Sequence, residues 1–285
     1  MRRMKLMGIL LTILMILTSC GGEKTKKQLS IAYANWSEGI AITHLTKAIF
    51  EEQGYEVKLQ NADIAPIFAS LSRGKVDIFM DVWMPVTHAD YLKQHSKNLD
   101  TISTVYNKAR IGLVVPEYVT INSIEELNAN KEKFSGQIIG IDAGAGIMKA
   151  TEEAIDKYDL DYKLFTSSGP GMTASLKKAI EQSKWIVVTG WTPHWMFGRF
   201  RLKILEDPQK VYGDVELIQI ASRKNFSTDD TFAVALLKNI RLTDKQISSL
   251  MTAMEETQTT EGDAARMWIE KNRELVDSWI PKEEK

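Results

Sequence analysis

Cysteine is all but missing. Cys20 is the only one in 285 residues, so no disulfide can close within this sequence and the core must hold the fold. Histidine is scarce as well. His44, His88, His95 and His194 are the whole set, no two stand at a metal-site spacing, and no further thiol joins them. No G-x-S-x-G elbow, P-loop or kinase set is present. Gly144-Ala145-Gly146 lacks the third glycine of a dinucleotide loop, because position 149 is Lys. No metal, cofactor or catalytic nucleophile is therefore expected, and the chain does not read as an enzyme. Charge of one sign is lacking too: the net is −1 at pH 7, which argues against a nucleic-acid partner. Past the N-terminal leader no 18-residue apolar run occurs, so no spanning helix is expected there.

The leader is distinctive. Arg2, Arg3 and Lys5 precede an apolar stretch from Met7 to Leu17, and Leu17-Thr18-Ser19-Cys20 follows. This is a basic n-region, a short h-region and a small-residue cleavage site. The ending resembles a bacterial lipobox, which implies a signal peptide over 1–19 and a lipid on Cys20. The protein would then be anchored to a membrane on its extracytoplasmic side. Residues 20–28, rich in Gly and Lys, read as a flexible tether.

From Leu29 the pattern alternates. Apolar strands at 29–34, 56–59 and 76–82 are separated by helical stretches that stop at Gly54 and Gly74. That is a βαβαβ unit with parallel strands. A second unit has strands at 111–115, 137–142 and 185–190, and a strand at 215–221 precedes three helical stretches over 229–240, 243–256 and 261–276. Ser123 and Glu126 form a capping box expected to open a helix to about Lys131. The expected fold class is α/β and bilobal, like a periplasmic binding protein, with two lobes hinged about a ligand cleft. Lobe 1 would comprise 29–110 and 216–282, lobe 2 residues 111–215, with hinge strands near 108–112 and 214–220.

Tryptophan is where the chain is rich. Trp36, Trp83 and Trp191 each follow a short apolar run and precede a polar or Pro break. Strand C-terminal ends face the crevice where open α/β sheets bind ligands. Three indoles there suggest an aromatic box for a quaternary ammonium cation. Gly144-Ala145-Gly146-Ile147 opens a helix, whose free N–H groups and dipole suit a carboxylate. A tight turn needing two glycines is an equal reading of that segment on its own. His88, five residues after Trp83, is near enough to share the pocket. The zwitterion that fits both ends is a betaine. Trp195 and His194 are expected to support the Trp191 turn, Trp268 and Trp279 to pack in the core, and His44 and His95 to lie at the surface.

These segments carry a family resemblance. Ala34-Asn35-Trp36-Ser37-Glu38, Val82-Trp83-Met84-Pro85-Val86-Thr87-His88, Gly140 to Met148 and Thr189-Gly190-Trp191-Thr192-Pro193-His194-Trp195 resemble the glycine betaine substrate-binding proteins of ABC transporters. The resemblance runs from about Leu29 to Trp279. It implies a tryptophan prism of Trp36, Trp83 and Trp191 around the trimethylammonium group. It also implies a carboxylate held by the Gly146 and Ile147 amides and by His88. The implied partners are a small betaine-like ligand and an ABC permease, and the implied role is osmoprotectant uptake. Proline betaine, carnitine or choline is the alternative ligand, and a membrane-anchored enzyme acting on methylated amines is the alternative class. Gly169-Pro170-Gly171 departs from the family pattern beside the cleft, where it bears on ligand size.

Overall fold

The structure, a computed structural model, describes residues 27–282. The leader and Cys20 lie outside them. Strand β1 (Lys27–Tyr33) pairs in parallel with β2 (Tyr55–Asn61) and β3 (Ile78–Met84). Between them run α1 (Ser37–Glu52) and α2 (Ile64–Ser72). Helix α1 buries Ile42, Leu45 and Ile49 along one stripe and gives way to Gly54 at φ +84°, a left-handed value that glycine adopts freely. Strand β3 reads Ile-Phe-Met-Asp-Val-Trp-Met and is buried on both faces up to Trp83. This is the near-continuous apolar run of a covered parallel strand, interrupted only by Asp81. Helix α3 (Ala89–His95), which the sequence did not announce, follows it.

Strand β4 (Leu99–Pro116) is 18 residues long, far beyond the 111–115 expected from its apolar end. Its first half pairs antiparallel with β9 (Glu216–Arg223), which in turn pairs with β3. Its second half pairs with β7 (Val188–Thr192) and β8 (Leu202–Ile204). Strands β5 (Gln137–Ile139) and β6 (Lys163–Phe165) complete this side in parallel. The strand order is β2-β1-β3-β9-β4-β7-β5-β6, with β8 beside β4. Strand pairing thus falls into two parts that share β4. Lobe 1 has β1, β2, β3 and β9; lobe 2 has β5 to β8.

Helices α4 (Gly146–Lys157), α5 (Gly169–Glu181) and the short α6 (Met196–Arg199) belong to lobe 2. After β9 come α7 (Phe226–Asp229), α8 (Thr231–Asn239), α9 (Asp244–Glu255), α10 (Glu261–Lys271) and α11 (Arg273–Trp279). Helices α9 and α10 pack on α1, so the C-terminal helices return to lobe 1. Three local expectations are corrected. The Ser123 capping box is present, but it opens 3-10 turns over Ile124–Glu126 and Asn128–Phe134, where Asn130 leaves helical geometry. The stretch 261–276 is broken at Asn272, whose φ of −124° ends α10. Trp185 precedes β7 rather than lying in a strand; it stacks edge-on with Phe134 under the Lys133 ammonium.

Candidate functional site

Trp36 caps the N-terminus of α1, Trp83 is the penultimate residue of β3, and Trp191 is the penultimate residue of β7. All three are buried. They line one small cavity together with Glu38, Thr87, Ile111, Ile141, Ala145, Gly146 and Ile147. A second, larger crevice shares Trp36 and Trp191 as a wall and reaches Lys177, Trp195, Arg199 and Glu255. The smaller cavity is the better candidate, because it alone gathers the three indoles and the start of α4.

Each indole is pinned by its N–H to a carboxylate. Trp191 Nε1 donates to Glu38 Oε2 at 2.7 Å, Trp83 Nε1 to Asp81 Oδ1 at 2.7 Å, and Trp36 Nε1 to Asp142 Oδ2 at 3.3 Å. A ring fixed at its polar edge cannot turn about χ2 without breaking that bond. Two of the three bonds cross between the lobes: Glu38 of lobe 1 holds Trp191 of lobe 2, and Asp142 of lobe 2 holds Trp36 of lobe 1. The sequence reading missed these carboxylates as partners. The signal available was Asp81, a lone charge inside a fully buried strand, which must find a partner.

The start of α4 also lines the cavity. Gly146 and Ile147 head this helix, so their N–H groups have no carbonyl four residues back within it. Gly146 presses on lobe 1: a Cβ built there would lie 1.9 Å from the Thr87 carbonyl oxygen. Only glycine permits this approach.

His88 is fully buried, and its ring lies 18° from parallel with Trp36 at 5.8 Å between centroids. Its Nδ1 accepts the Trp83 backbone N–H at 2.9 Å. An accepting Nδ1 places the proton of the neutral ring on Nε2. Burial pushes the imidazole down to about 3, so it is neutral at physiological pH. Nε2 is buried and has no hydrogen-bond partner among the described residues. His88 is not among the residues that line the cavity; it stacks on Trp36, which does.

The other singled-out residues fall as follows. His194 meets Trp191 edge-to-face at 4.8 Å, and its Nδ1 accepts the Met196 N–H. Trp268 and Trp279 are buried core residues. His44 and His95 were expected at the surface but are only half-exposed, His44 edge-on to Tyr33 and His95 stacked over Phe68. Gly169 starts α5 against lobe 1, where an added Cβ would come within 3.3 Å of the Asn35 carbonyl and 3.8 Å of Trp36.

Further contacts span the cleft. Tyr91 Oη donates to the Gly144 carbonyl at 3.0 Å, Lys149 pairs with Asp90, and Arg199 lies 3.5 Å from Glu255. The two lobes are therefore in contact around the cavity.

A family described as the substrate-binding domain of ABC-type glycine betaine transport systems matches residues 27–271. The glycine betaine/carnitine transport binding protein GbuC of Listeria monocytogenes is 44% identical over 157 residues, 54% of this chain and 52% of that protein, so the match spans about half of its length. Lactococcal OpuAC, solved closed with glycine betaine, has a TM-score of 0.84 at 33% identity, covering 90% of this chain and all (100%) of that one. The glycine/betaine/L-proline-binding protein of Borrelia burgdorferi has a TM-score of 0.86 at 34% identity, covering 90% of this chain and 97% of that one. With the bilobal α/β fold that it shares with those structures, the chain belongs to the family of substrate-binding domains of ABC-type glycine betaine transport systems.

Proposed function

We propose that this protein captures glycine betaine in the cavity between Trp36, Trp83 and Trp191 and presents it to an ABC permease. The observation that carries the reading is that one small cavity is lined both by three pinned indoles and by the α4 N-terminus. A quaternary ammonium has no N–H to donate, so π faces and dispersion must replace its water. Each desolvated indole contributes on the order of 0.5–2 kcal/mol, and three together supply a fair share of the roughly 8 kcal/mol of micromolar binding. The carboxylate takes the Gly146 and Ile147 amides and the His88 Nε2–H, which burial leaves in need of an acceptor.

The ligand lies between lobe 1 (29–110 and 216–282) and lobe 2 (111–215), with β4 and the chain entering β9 as hinge. Cys20 carries the lipid that holds the protein at the outer face of its membrane, and the tether, expected over 20–28, ends where β1 begins at Lys27. The protein makes and breaks no covalent bond in its ligand. Carnitine is the second ligand to consider, since the Listeria relative is named for both compounds.

Calorimetric titration of the mature protein with glycine betaine, proline betaine, carnitine, choline and glycine tests the reading. Glycine betaine should bind tightest of the set and glycine not measurably. Equal binding of glycine would show that the indoles do not recognise the methyls.

A further inference from the structure

Two of the carboxylates that pin the indoles have no counter-charge. Glu38 stands in the first turn of α1 and lines the cavity; Asp81 stands in the middle of β3. Both are fully buried, at 1% and 0% exposure. Glu38 Oε2 takes the Trp191 N–H and Asp81 Oδ1 the Trp83 N–H, while Asp81 Oδ2 has no hydrogen-bond partner among the described residues. The first turn of α1 sits directly on Asp81: a Cβ on Gly39 would lie 2.7 Å from Oδ2. Neither carboxylate is bonded to a Lys or Arg among the described residues. Two like charges sharing a dry site cannot both ionise unaided.

We propose that Glu38 and Asp81 are the charge-selecting element of the cage: the empty pair holds a proton, and a permanent cation entering between the indoles displaces it to solvent. The ligand's ammonium becomes the counter-charge that the fold leaves out. The site would then discriminate a cation from a neutral group of the same shape, which the indole faces and the cavity volume do only in part. This deepens the betaine reading and rests on it.

The surrounding groups leave the role to this pair. His88 and His194 are held neutral by burial, both pushed down to about 3. Asp142 is engaged by Trp36, and Glu216 accepts from the Val86 and Thr87 amides and from the Thr87 hydroxyl. Burial raises Glu38 to about 7 against the opposing bond from Trp191; burial and then the charge of Glu38 raise Asp81 well above the carboxylate range. A cation beside Glu38 favours its ionised form. Proton release on binding should therefore grow as the pH falls below about 7, for as long as the bound cation keeps the pair ionised, and affinity should fall over the same range.

The test is calorimetric titration with glycine betaine and with its neutral-headed isostere 3,3-dimethylbutanoate, in buffers of different ionisation enthalpy at about pH 6.5. The wild type should release up to one proton per glycine betaine and none with the isostere. Glu38→Gln keeps an oxygen for the Trp191 N–H but removes the charge; it should abolish the release and cut the preference for glycine betaine by at least about tenfold. Asp81→Asn should do the same, and a thermal melt checks that each variant is folded. Glycine betaine binding to the wild type without proton release overturns the proposal and leaves the betaine site standing, as does an unchanged preference in both variants. Failure of the wild type to bind glycine betaine overturns the betaine reading itself, and the proposal with it.

Discussion

Trp191 and Glu38 lie 153 residues apart in the chain and are joined by a 2.7 Å hydrogen bond across the cleft. The Trp36–Asp142 bond repeats the arrangement in the opposite sense. Trp36 and Trp191 are thus each oriented by the other lobe's acid, while Trp83 is held by Asp81 of its own lobe. A cage built this way is complete only when the lobes are together, so ring orientation and closure are one event.

The first expectation concerns the indoles singly. Trp36→Ala, Trp83→Ala and Trp191→Ala should each weaken glycine betaine binding by about 1–2 kcal/mol, with Tyr or Phe milder at each position. Titration calorimetry gives the values. Wild-type affinity in any of the three would remove that residue from the cage.

Closure should be visible in solution. The contacts of Tyr91 with Gly144 and of Arg199 with Glu255 form only between approached lobes. Saturating glycine betaine should make the protein more compact in small-angle scattering and change its tryptophan fluorescence. Superimposable scattering curves with and without ligand would count against a closing clamp.

Gly146 offers a way to stop closure without touching a side chain. The methyl of Gly146→Ala would collide with the Thr87 carbonyl of the other lobe, a clash that exists only when the lobes meet. Overpacking of this kind costs about 1–3 kcal/mol. The variant should keep the wild-type melting temperature without ligand and lose at least about tenfold in affinity. Normal binding would mean that Thr87 and Gly146 need not approach.

His88 should matter for the anionic end alone. Glycine betaine should bind at least about tenfold tighter than choline, because choline leaves buried donors unpaired at about 1–3 kcal/mol. His88→Ala should narrow that gap. A gap that stays the same would place the carboxylate elsewhere.

Stability of the unliganded protein should respond to pH through two opposed terms. His88 and His194 have folded values near 3 against an ordinary 6.5, so the unfolded chain takes up protons that the native state refuses. Their contribution is present above about 6.5 and is lost as the pH falls toward 3. Glu38 runs the other way. Its folded value near 7 lies above the ordinary 4.5, so it adds stability as the pH falls from 7 to 4.5 and nothing further below. Asp81, raised by burial as well, acts with Glu38, so two acids offset two histidines: melting temperature should hold between about pH 6.5 and 4.5 and drop below that. His194→Asn keeps an acceptor for the Met196 N–H and should flatten the acid limb. A limb of unchanged steepness would assign acid unfolding to other groups.

Much of the site was legible in the sequence because its parts are local. Each tryptophan ends an apolar run, and Gly144 to Ile147 announce a helix start, so the residues that now line one cavity stood out singly. What assembles them was not legible. The Trp191–Glu38 and Trp36–Asp142 bonds join residues more than a hundred positions apart, and no periodicity encodes such a pairing. Strand β4 was read short because Leu99 to Lys108 alternate irregularly, with Asn107 and Lys108 exposed, and the ladder to β9 slips three times there. Asn130 and Asn272 broke helices that the apolar spacing alone would have continued.

The uninterrupted run of β4 through both sheets has a mechanical consequence. Two bodies joined by a loose linker swing freely, but two bodies cut from one ribbon of backbone move by bending it. Opening would load β4 like a leaf spring, and the place where its ladder changes partner, from β9 at Ala109 to β7 at Arg110, is where such a spring would flex. The angle between the jaws would then answer to the elasticity of one continuous strand rather than to the length of a linker.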